Sequence, residues 1–167
     1  KLAPSLFRVV EKDDLRLITP SFEMENDNRG WTPETVWYRS RIETPGGKTV
    51  SQGMSKFWNL GSGPEFAKTT IHDILDDIRN NRKIVATLKV DGSLLIRSVY
   101  KDKLILRTRG SFSYEHHDAT APEMEAFKVK YPRLFDTSLY NERIHLHFEW
   151  LTPNNQIVIR YAQPELY

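Results

Sequence analysis

The strongest constraint on the fold is a strict alternation of apolar and polar side chains over residues 144–150. The apolar positions are Ile144, Leu146, Phe148 and Trp150, and the polar positions between them are His145, His147 and Glu149. Successive side chains of a β-strand point to opposite faces of its sheet. The pattern therefore predicts a strand with one face in a hydrophobic core and a second, polar face.

Short β-rich segments separated by turns account for much of the remaining chain. Asp91-Gly92 is a tight-turn dipeptide, and Thr-Pro-Asn-Asn at residues 152–155 is a strong turn signal directly after the alternating segment. The segments that flank such turns are rich in β-branched and aliphatic residues, which favour strands. The predicted strands are residues 35–43, 84–89, 94–99, 104–109 and 156–161, the last as the hairpin partner of the alternating strand.

Two helices are predicted between the strands. Over residues 70–80 the apolar side chains recur at helical spacing after Thr70, which is able to cap the first turn. Thr-Ala-Pro-Glu at residues 120–123 matches a capping box with proline at the first helical position, and predicts a short helix to about Lys130. Antiparallel strands with inserted helices predict the α+β fold class, and the length predicts a single domain over residues 1–167.

Composition narrows the possible chemistry. The chain has 167 residues, 39% of them hydrophobic, a formal net charge of +2 and no cysteine. Absence of cysteine excludes disulfide scaffolds, thiolate zinc sites and cysteine nucleophiles, and favours the cytosol over an oxidising compartment. No apolar run approaches the ~18 residues of a transmembrane helix, and residues 1–4 do not resemble a signal peptide. We therefore expect a cytoplasmic protein (in the host cytoplasm if the source is viral) without a membrane partner.

The segment KVDGS at residues 89–93 is the most informative candidate for chemistry. Lys89 is expected to end a buried strand just before a glycine turn, an expensive place for an ammonium because it loses hydration. One interpretation is structural, with the lysine snorkelling from the strand end into solvent. The other is functional: burial and nearby cations would favour the neutral amine of a nucleophile that attacks phosphorus. Gly92 would then let the backbone pass close to the bound nucleotide.

This segment resembles motif I of the covalent nucleotidyltransferases, which include ATP-dependent polynucleotide ligases and capping enzymes. Three further segments follow the order and spacing of the phage-type RNA ligases, the RNA ligase 1 group: SKFWNL at residues 55–60, RTRGS at 107–111 and FEWLTPNNQIV at 148–158. They resemble, in that order, the KFFN element before motif I, the basic-Gly-Ser element after it, and motif III. Four ordered motifs are jointly far more specific than any one of them.

The resemblance implies a role for each matching residue. Lys89 would be the adenylated, catalytic nucleophile. Nucleotide-binding roles fall to Arg41, Lys56, Asp91, Gly92, Arg109 and Glu149. Glu149 matches the glutamate that holds the ribose or a metal-bound water, and Arg41 lies near the position of an upstream arginine of the family. Arg109 stands where the family often has lysine, and its fork of donors can still bind phosphate.

The resemblance also implies a fold and a reaction. The fold is an antiparallel-sheet-rich nucleotidyltransferase domain, and the activity is that of an ATP-dependent RNA ligase. The lysine would attack ATP to form a covalent lysyl-AMP, and the AMP would activate a 5′-phosphate RNA end for joining to a 3′-hydroxyl. ATP and Mg²⁺ are the implied cofactors, because hard oxygen ligands and retained waters suit magnesium at phosphates. RNA with those two ends is the implied partner, and no oligomeric state is implied.

Strand geometry predicts how these residues converge. Lys56, Glu149 and Lys89 are expected to line one concave face, with Arg109 at its rim and Glu149 within about 15 Å of Lys89. Arg107 would join Lys56 and Arg109 as a third cation near the lysine. The alternative for the two arginines is an exposed basic strand.

The histidines of the chain have two interpretations. His145, His147 and Glu149 project together from a strand and so form a possible metal site. No other metal ligands are predicted, and the ligands of any metal stay unknown. Solvated or nucleotide-facing histidines are the alternative, and the one we favour. His116 and His117 follow a hairpin in a charged loop and are expected at the surface.

Two later elements of the family have no match in the sequence: the motif IV glutamate and the motif V pair of lysines. We therefore expect residues 1–167 to be the amino-terminal part of an adenylyltransferase domain, or a natural short relative, and a weak or inactive ligase alone. Two alternatives stay open. One is a non-catalytic module that binds nucleotide or RNA ends, and the other is a DNA ligase or capping-type relative.

Overall fold

A computed structural model describes residues 5–27, 29–115 and 120–167, and within them the chain forms two antiparallel sheets and several short helices. The first sheet has the order β1-β2-β3-β4, with β1 (Phe7–Lys12), β2 (Leu15–Pro20), β3 (Arg41–Glu43) and β4 (Thr49–Gln52). The second has the order β6-β5-β7-β8, with β5 (Ser93–Tyr100), β6 (Lys103–Arg107), β7 (Leu146–Leu151) and β8 (Glu165–Leu166). The helices are α1 (Phe22–Asp27), α2 (Ile71–Arg79), α3 (Thr120–Lys130) and α4 (Pro132–Phe135), with a 3₁₀ turn at Thr35–Tyr38. The fold class is α+β, as predicted.

Two tight hairpins fix the register of the sheets. Asp13 and Asp14, with φ of 51° and 58°, join β1 to β2, and Lys101 and Asp102, with φ of 50° and 60°, join β5 to β6. Two successive residues with positive φ give a turn whose twist matches the strands that it joins. The second hairpin pairs β5 with β6 along one edge, and β7 pairs with β5 along the other. Both edges of β5 are therefore occupied.

The two sheets pack face to face. Leu17, Ile42 and Val50 of the first sheet are buried against Tyr100 and Ile105 of the second. α3 and α4 cover the opposite face of the second sheet, where strands and helices share one core: Leu95, Leu106, Met124, Phe127, Leu134 and Trp150. The second sheet is thus buried on both faces, and only the face towards the first sheet carries many polar groups.

The polar side of β7 belongs to that inner face. His147 and Glu149 lie opposite Ile96 and Leu94 of β5. Ser98, on the same face as Ile96, donates a hydrogen bond at 2.8 Å to the hydroxyl of Ser51 in β4. The alternation over residues 144–150 predicted a two-sided strand, and this prediction is confirmed, although the strand begins only at Leu146.

Both predicted helices form. α2 begins after Thr70, whose hydroxyl accepts a hydrogen bond from the N–H of Asp73, while the Asp73 carboxylate accepts one from the N–H of Thr70. These reciprocal bonds satisfy two of the backbone donors that a helix start leaves unpaired. α3 covers the predicted segment. In the part of the chain that the structure describes, no helix combines the length and the apolar character needed to cross a membrane.

Two predicted strands are wrong. Residues 84–89 have no regular secondary structure, and their side chains are exposed, Ile84 by 50% and Leu88 by 86%. The cause is non-local, because β6 and β7 occupy both edges of β5, so residues 84–89 do not form a hairpin with the strand that follows them. Residues 156–161 form no strand either, since β8 takes the remaining edge of β7.

Two more predictions are right in part. Residues 35–43 divide into the 3₁₀ turn and the short β3, so the predicted long strand is wrong over its first half. β5 confirms the strand at residues 94–99, and β6 ends at Arg107 instead of continuing to Arg109. His116 and His117 lie outside the described residues.

Candidate nucleotide site

The turn that carries Gly92 is held directly against Glu149. The N–H of Gly92 donates a hydrogen bond to Oε1 of Glu149 at 2.9 Å, and Ser93 pairs with Trp150 at the start of β5. A Cβ atom at position 92 would lie 2.4 Å from the carbonyl oxygen of Trp150. Only glycine therefore allows this approach of the two backbones. The structure thus brings the KVDGS segment and the half-buried carboxylate of the alternating strand together.

Asp91 holds a different segment in place. Its Oδ2 atom accepts hydrogen bonds at 2.7 Å from the backbone N–H groups of both Val158 and Ile159. Its own N–H donates to the hydroxyl of Tyr161 at 3.0 Å. The hydrogen bonds from Ile159 and Val158 lower the pKa of the Asp91 carboxyl, and the Lys89 ammonium contributes a smaller effect in the same direction. Residues 156–161, predicted as a strand, are instead anchored on this turn.

Lys89 itself lies in solvent. It belongs to the exposed segment before the turn, so the prediction of a lysine at the end of a buried strand is wrong. Its ammonium forms no hydrogen bond or salt bridge with the residues that the structure describes. Lys89 is three positions before Gly92, so its backbone lies within about 11 Å of the residue that Glu149 contacts.

A second group of charges surrounds the carboxylate of Glu25 in α1. Oε1 of Glu25 lies 3.0 Å from Arg39 Nη2, 3.5 Å from Lys56 Nζ and 3.5 Å from Arg109 Nη1. The Lys56 ammonium is also 5.7 Å from the ring centroid of Trp31. Three cations on one carboxylate leave a local charge of +2. We call Glu25, Arg39, Lys56 and Arg109 the cation cluster.

The cation cluster contains two of the predicted nucleotide-binding cations and leaves out a third. Lys56 and Arg109 lie together, as expected, although they are 53 positions apart in the sequence. Arg41 does not join them. Its Nε atom lies 2.9 Å from Glu43, and its guanidinium stacks over Tyr38 at 5.0 Å. Of the two arginines in the segment Arg39-Ser40-Arg41, the cluster contains Arg39, and the sequence alone does not distinguish them.

Arg107 is not an accessible cation. Its side chain is completely buried between the sheets, where it donates four hydrogen bonds to Ser40 and Ser51 and a fifth to the carbonyl of Thr108. Burial lowers the pKa of Arg107 to about 9. Arg107 is therefore neither a free cation for the proposed site nor part of the exposed basic strand that was the alternative. The network has a link to the cation cluster instead, because the Ser40 hydroxyl donates to the carbonyl of Arg109 at 2.6 Å.

The two histidines of β7 are engaged by protein atoms. Nδ1 of His145 lies 3.0 Å from the hydroxyl of Ser98, and Nε2 of His147 lies 2.9 Å from the carbonyl oxygen of Gln52. Burial lowers the pKa of His145, and the charges of His147 and Arg107 add to the effect. No group of three or more metal-ligating side chains is present among the described residues. The interpretation of the His-x-His-x-Glu stripe as a metal site is not supported.

Two residues important to the site were not predicted from the sequence as site residues. Glu25 assembles the cation cluster from a six-residue helix. Glu123 of α3 is buried and accepts hydrogen bonds from Trp150 Nε1 at 2.8 Å, Asn154 Nδ2 at 2.7 Å and the hydroxyl of Thr152. It therefore fixes the turn after β7. Both act through contacts that are distant in sequence, and the capping-box pattern at Glu123 gives no indication of its contacts with the turn after β7.

One comparison with known proteins gives a match. A family model described as RNA ligase matches residues 37–167, which is most of the chain and includes all four motifs. A search of curated proteins found none that matches the chain.

Proposed function

Because the chain belongs to the phage-type RNA ligase 1 family, we propose that it carries the adenylyltransferase site of an ATP-dependent RNA ligase, with Lys89 as the nucleophile. In this proposal the two packed sheets are part of a nucleotidyltransferase domain. The nucleotide lies at the inner face of the second sheet, between the KVDGS turn and the cation cluster.

The observation that carries the proposal is the hydrogen bond from Gly92 to Glu149. It joins the nucleophile segment and the motif III glutamate, which lie 57 positions apart in the sequence. One oxygen of the carboxylate is fixed by this bond, and the second is left to accept a hydrogen bond from a ribose hydroxyl. A half-buried carboxylate fixed in this way is oriented before the nucleotide binds, which lowers the cost of ordering it later.

The proposed chemistry needs a neutral lysine amine. Nζ of Lys89 attacks the α-phosphorus of ATP, a P–N bond forms, the bond to the bridging oxygen of the β-phosphate breaks, and pyrophosphate leaves with that electron pair. The ammonium proton passes to solvent, to which Lys89 is exposed. In the next steps the 5′-phosphate of an RNA end takes the AMP from the lysine. A 3′-hydroxyl then attacks that activated phosphate and releases AMP.

The cation cluster supplies the charge that such a reaction requires. Arg39, Lys56 and Arg109 offer two guanidinium forks and one ammonium to phosphate oxygens, and guanidinium forks suit bidentate phosphate contacts. Glu25 keeps the three cations assembled before ATP arrives. Preorganised positive charge is the main source of catalysis in phosphoryl transfer.

Magnesium fits this site as a companion of the phosphates. Mg²⁺ usually binds through one or two carboxylates together with substrate phosphates and waters, so a ready-made cluster of ligands is not needed. Glu149 is the carboxylate that would hold the ion or a water bound to it. When bound, the ion neutralises the charge of the phosphates.

A labelling experiment tests the proposal. The chain is incubated with Mg²⁺ and ATP labelled at the α-phosphate, with the protein in excess so that a single slow turnover is visible, then denatured and mapped. We expect acid-labile label on Lys89 and none in Lys89→Ala. Lys83→Ala, which changes another exposed lysine of the same segment, is the matched control and keeps the label.

The other outcomes point to different functions. Label on a lysine other than Lys89 contradicts the assignment of the nucleophile. ATP binding without any covalent label favours the non-catalytic nucleotide-binding module over the ligase.

A further inference from the structure

A second site is visible at the far end of the inner face. An open cleft of about 900 Å³ lies between the β3–β4 end of the first sheet and the segment that leads into β7. His145 lines it, whereas Glu149 lies four residues further along the same face of the strand, at a distance of about 13 Å. The cleft is therefore separate from the nucleotide site but continuous with the face that carries it.

The cleft has an excess of positive charge. Arg41, Lys48 and Arg143 line it, and Glu142 is the carboxylate among the lining residues. Arg41 is paired with Glu43, which lies outside the lining. Glu142 is already engaged, since its two oxygens accept hydrogen bonds at 2.7 Å from Lys48 Nζ and from the N–H of Lys101. The hydrogen bond from Lys48 is the largest of the effects that lower the pKa of Glu142. Arg143 is exposed, and its guanidinium makes no hydrogen bond or salt bridge with the described part of the chain.

An aromatic ring stands at the same cleft. The side chain of Trp37 is 51% exposed, although tryptophan usually buries most of its surface. Its backbone is fixed, because the carbonyl of Trp37 accepts a hydrogen bond from Gln52 Nε2 at 2.7 Å. An exposed indole on a fixed backbone beside several cations is the arrangement with which proteins bind single strands, where a base stacks on the ring and the cations contact phosphates.

We propose that this cleft binds a single-stranded segment of the substrate RNA adjoining the end to be joined. A base stacks on Trp37, and Arg143 contacts a phosphate. The proposal rests on the RNA ligase function proposed above, and it adds the place and the strand type of the RNA. A duplex does not fit this chemistry, since its bases are stacked on one another and are not available to the indole.

Binding measurements on the whole chain test the proposal without requiring catalysis. The probe is a fluorescent single-stranded RNA of about twelve nucleotides with a 5′-phosphate, followed by anisotropy at several salt concentrations. We expect Trp37→Ala to weaken binding about tenfold, the usual effect of losing one stacked base. Arg143→Ala should reduce the slope of log K against log salt by about 0.7, the value for one phosphate of a single strand.

Matched controls use equally exposed residues elsewhere. Phe22→Ala removes an aromatic side chain that is 84% exposed on α1, and Arg133→Ala removes an exposed arginine on α4, in the helix layer on the opposite face of the second sheet. Both controls should bind RNA within twofold of the unaltered chain. Since all four side chains are exposed, circular dichroism should show no loss of folded protein in any variant.

Three results would overturn the proposal. The first is RNA binding that is absent or equally strong in Trp37→Ala, Arg143→Ala and the controls. The second is a loss of ATP binding in the two cleft variants, which would make the cleft part of the nucleotide site. The third is equal affinity for a blunt RNA duplex. By contrast, a cleft-dependent affinity for single-stranded RNA without label on Lys89 supports this inference and contradicts the adenylyltransferase proposal.

Discussion

Residues 84–89 and residues 94–99 are both rich in aliphatic and β-branched side chains, yet only the second segment becomes a strand. β5 has a partner on each side and is buried on both faces, whereas residues 84–89 extend through solvent. The difference lies outside the two segments. Strand propensity is realised only where another strand pairs with the segment, and both edges of β5, the next strand along the chain, are occupied by β6 and β7.

The same contrast separates the two halves of the proposed site. Gly92 is fixed by its hydrogen bond to Glu149, a residue of β7. Lys89 is three positions before Gly92, on the exposed segment. In the proposed reaction the fixed half orients the nucleotide. The exposed half carries a lysine that first attacks ATP and later presents AMP to an RNA end. Substitutions in the fixed, buried parts of the molecule should therefore lower the free energy of unfolding far more than substitutions in its exposed parts.

The largest difference in the free energy of unfolding is expected between substitutions of a buried and an exposed arginine. Arg107→Ala removes a fully buried side chain, leaves the oxygens of Ser40 and Ser51 without their donor and opens a cavity. We expect a loss of about 4 kcal/mol in the free energy of unfolding. Arg82→Ala removes an exposed arginine that pairs with Asp77, and should change stability by less than about 0.5 kcal/mol. Urea denaturation measures both, and equal losses would contradict the contrast.

Two leucines provide the apolar version of this test. Leu95 of β5 is completely buried, and Leu88 is 86% exposed. Leu95→Ala should cost about 3 kcal/mol, the usual effect of truncating a buried leucine. Leu88→Ala should cost less than about 0.5 kcal/mol. A loss above about 1.5 kcal/mol for Leu88→Ala would mean that residues 84–89 are packed in solution.

The sequence predicted those elements whose determinants are local. The capping box at Thr70 and the alternation over residues 144–150 each define an element by its own residues, and α2 and β7 form where they were expected. α3 also covers the predicted segment, although the Glu123 carboxylate contacts Trp150, Thr152 and Asn154. The failure at residues 84–89 has a non-local cause, because nothing within that segment reveals which edges of β5 are free.

The candidate site divides in the same way. Motifs that are contiguous in sequence predicted Lys89, Lys56, Arg109 and Glu149 as candidates, and the structure brings Glu149 to the KVDGS turn and Lys56 to Arg109. The choice between Arg39 and Arg41 depended on Glu25, which is 14 positions away from Arg39. The burial of Arg107 likewise depends on the first sheet, which supplies the serine oxygens that surround it. Long-range pairings of this kind have no signature in one sequence.

A substitution at Gly92, where the fixed half meets the exposed half, should have a smaller effect on the free energy of unfolding. Gly92→Ala places a Cβ atom 2.4 Å from the carbonyl oxygen of Trp150, which cannot move without disturbing β7. We expect a loss of about 2 kcal/mol, as for other substitutions that overpack a core. Gly110→Ala is the control, since no atom lies within 4 Å of its added Cβ. A tolerated Gly92→Ala would show that the turn is able to separate from Glu149, and the two halves would then be less distinct.

The smallest effect is a pH dependence at the inner face. Burial lowers the pKa of His145 in the folded chain, with smaller contributions from His147 and Arg107. The unfolded chain therefore binds a proton at this position more readily, so stability is retained above about pH 6.5 and falls as the pH is lowered through and below that value. His145→Gln should reduce the fall in the urea midpoint between about pH 7.5 and 5.5. His72→Gln, at an exposed histidine of α2, should leave that fall unchanged. If the two variants show the same pH dependence, the inner face is as accessible to protons and water as the surface of α2. The contrast between a fixed and an exposed half would then not extend to this end of β7.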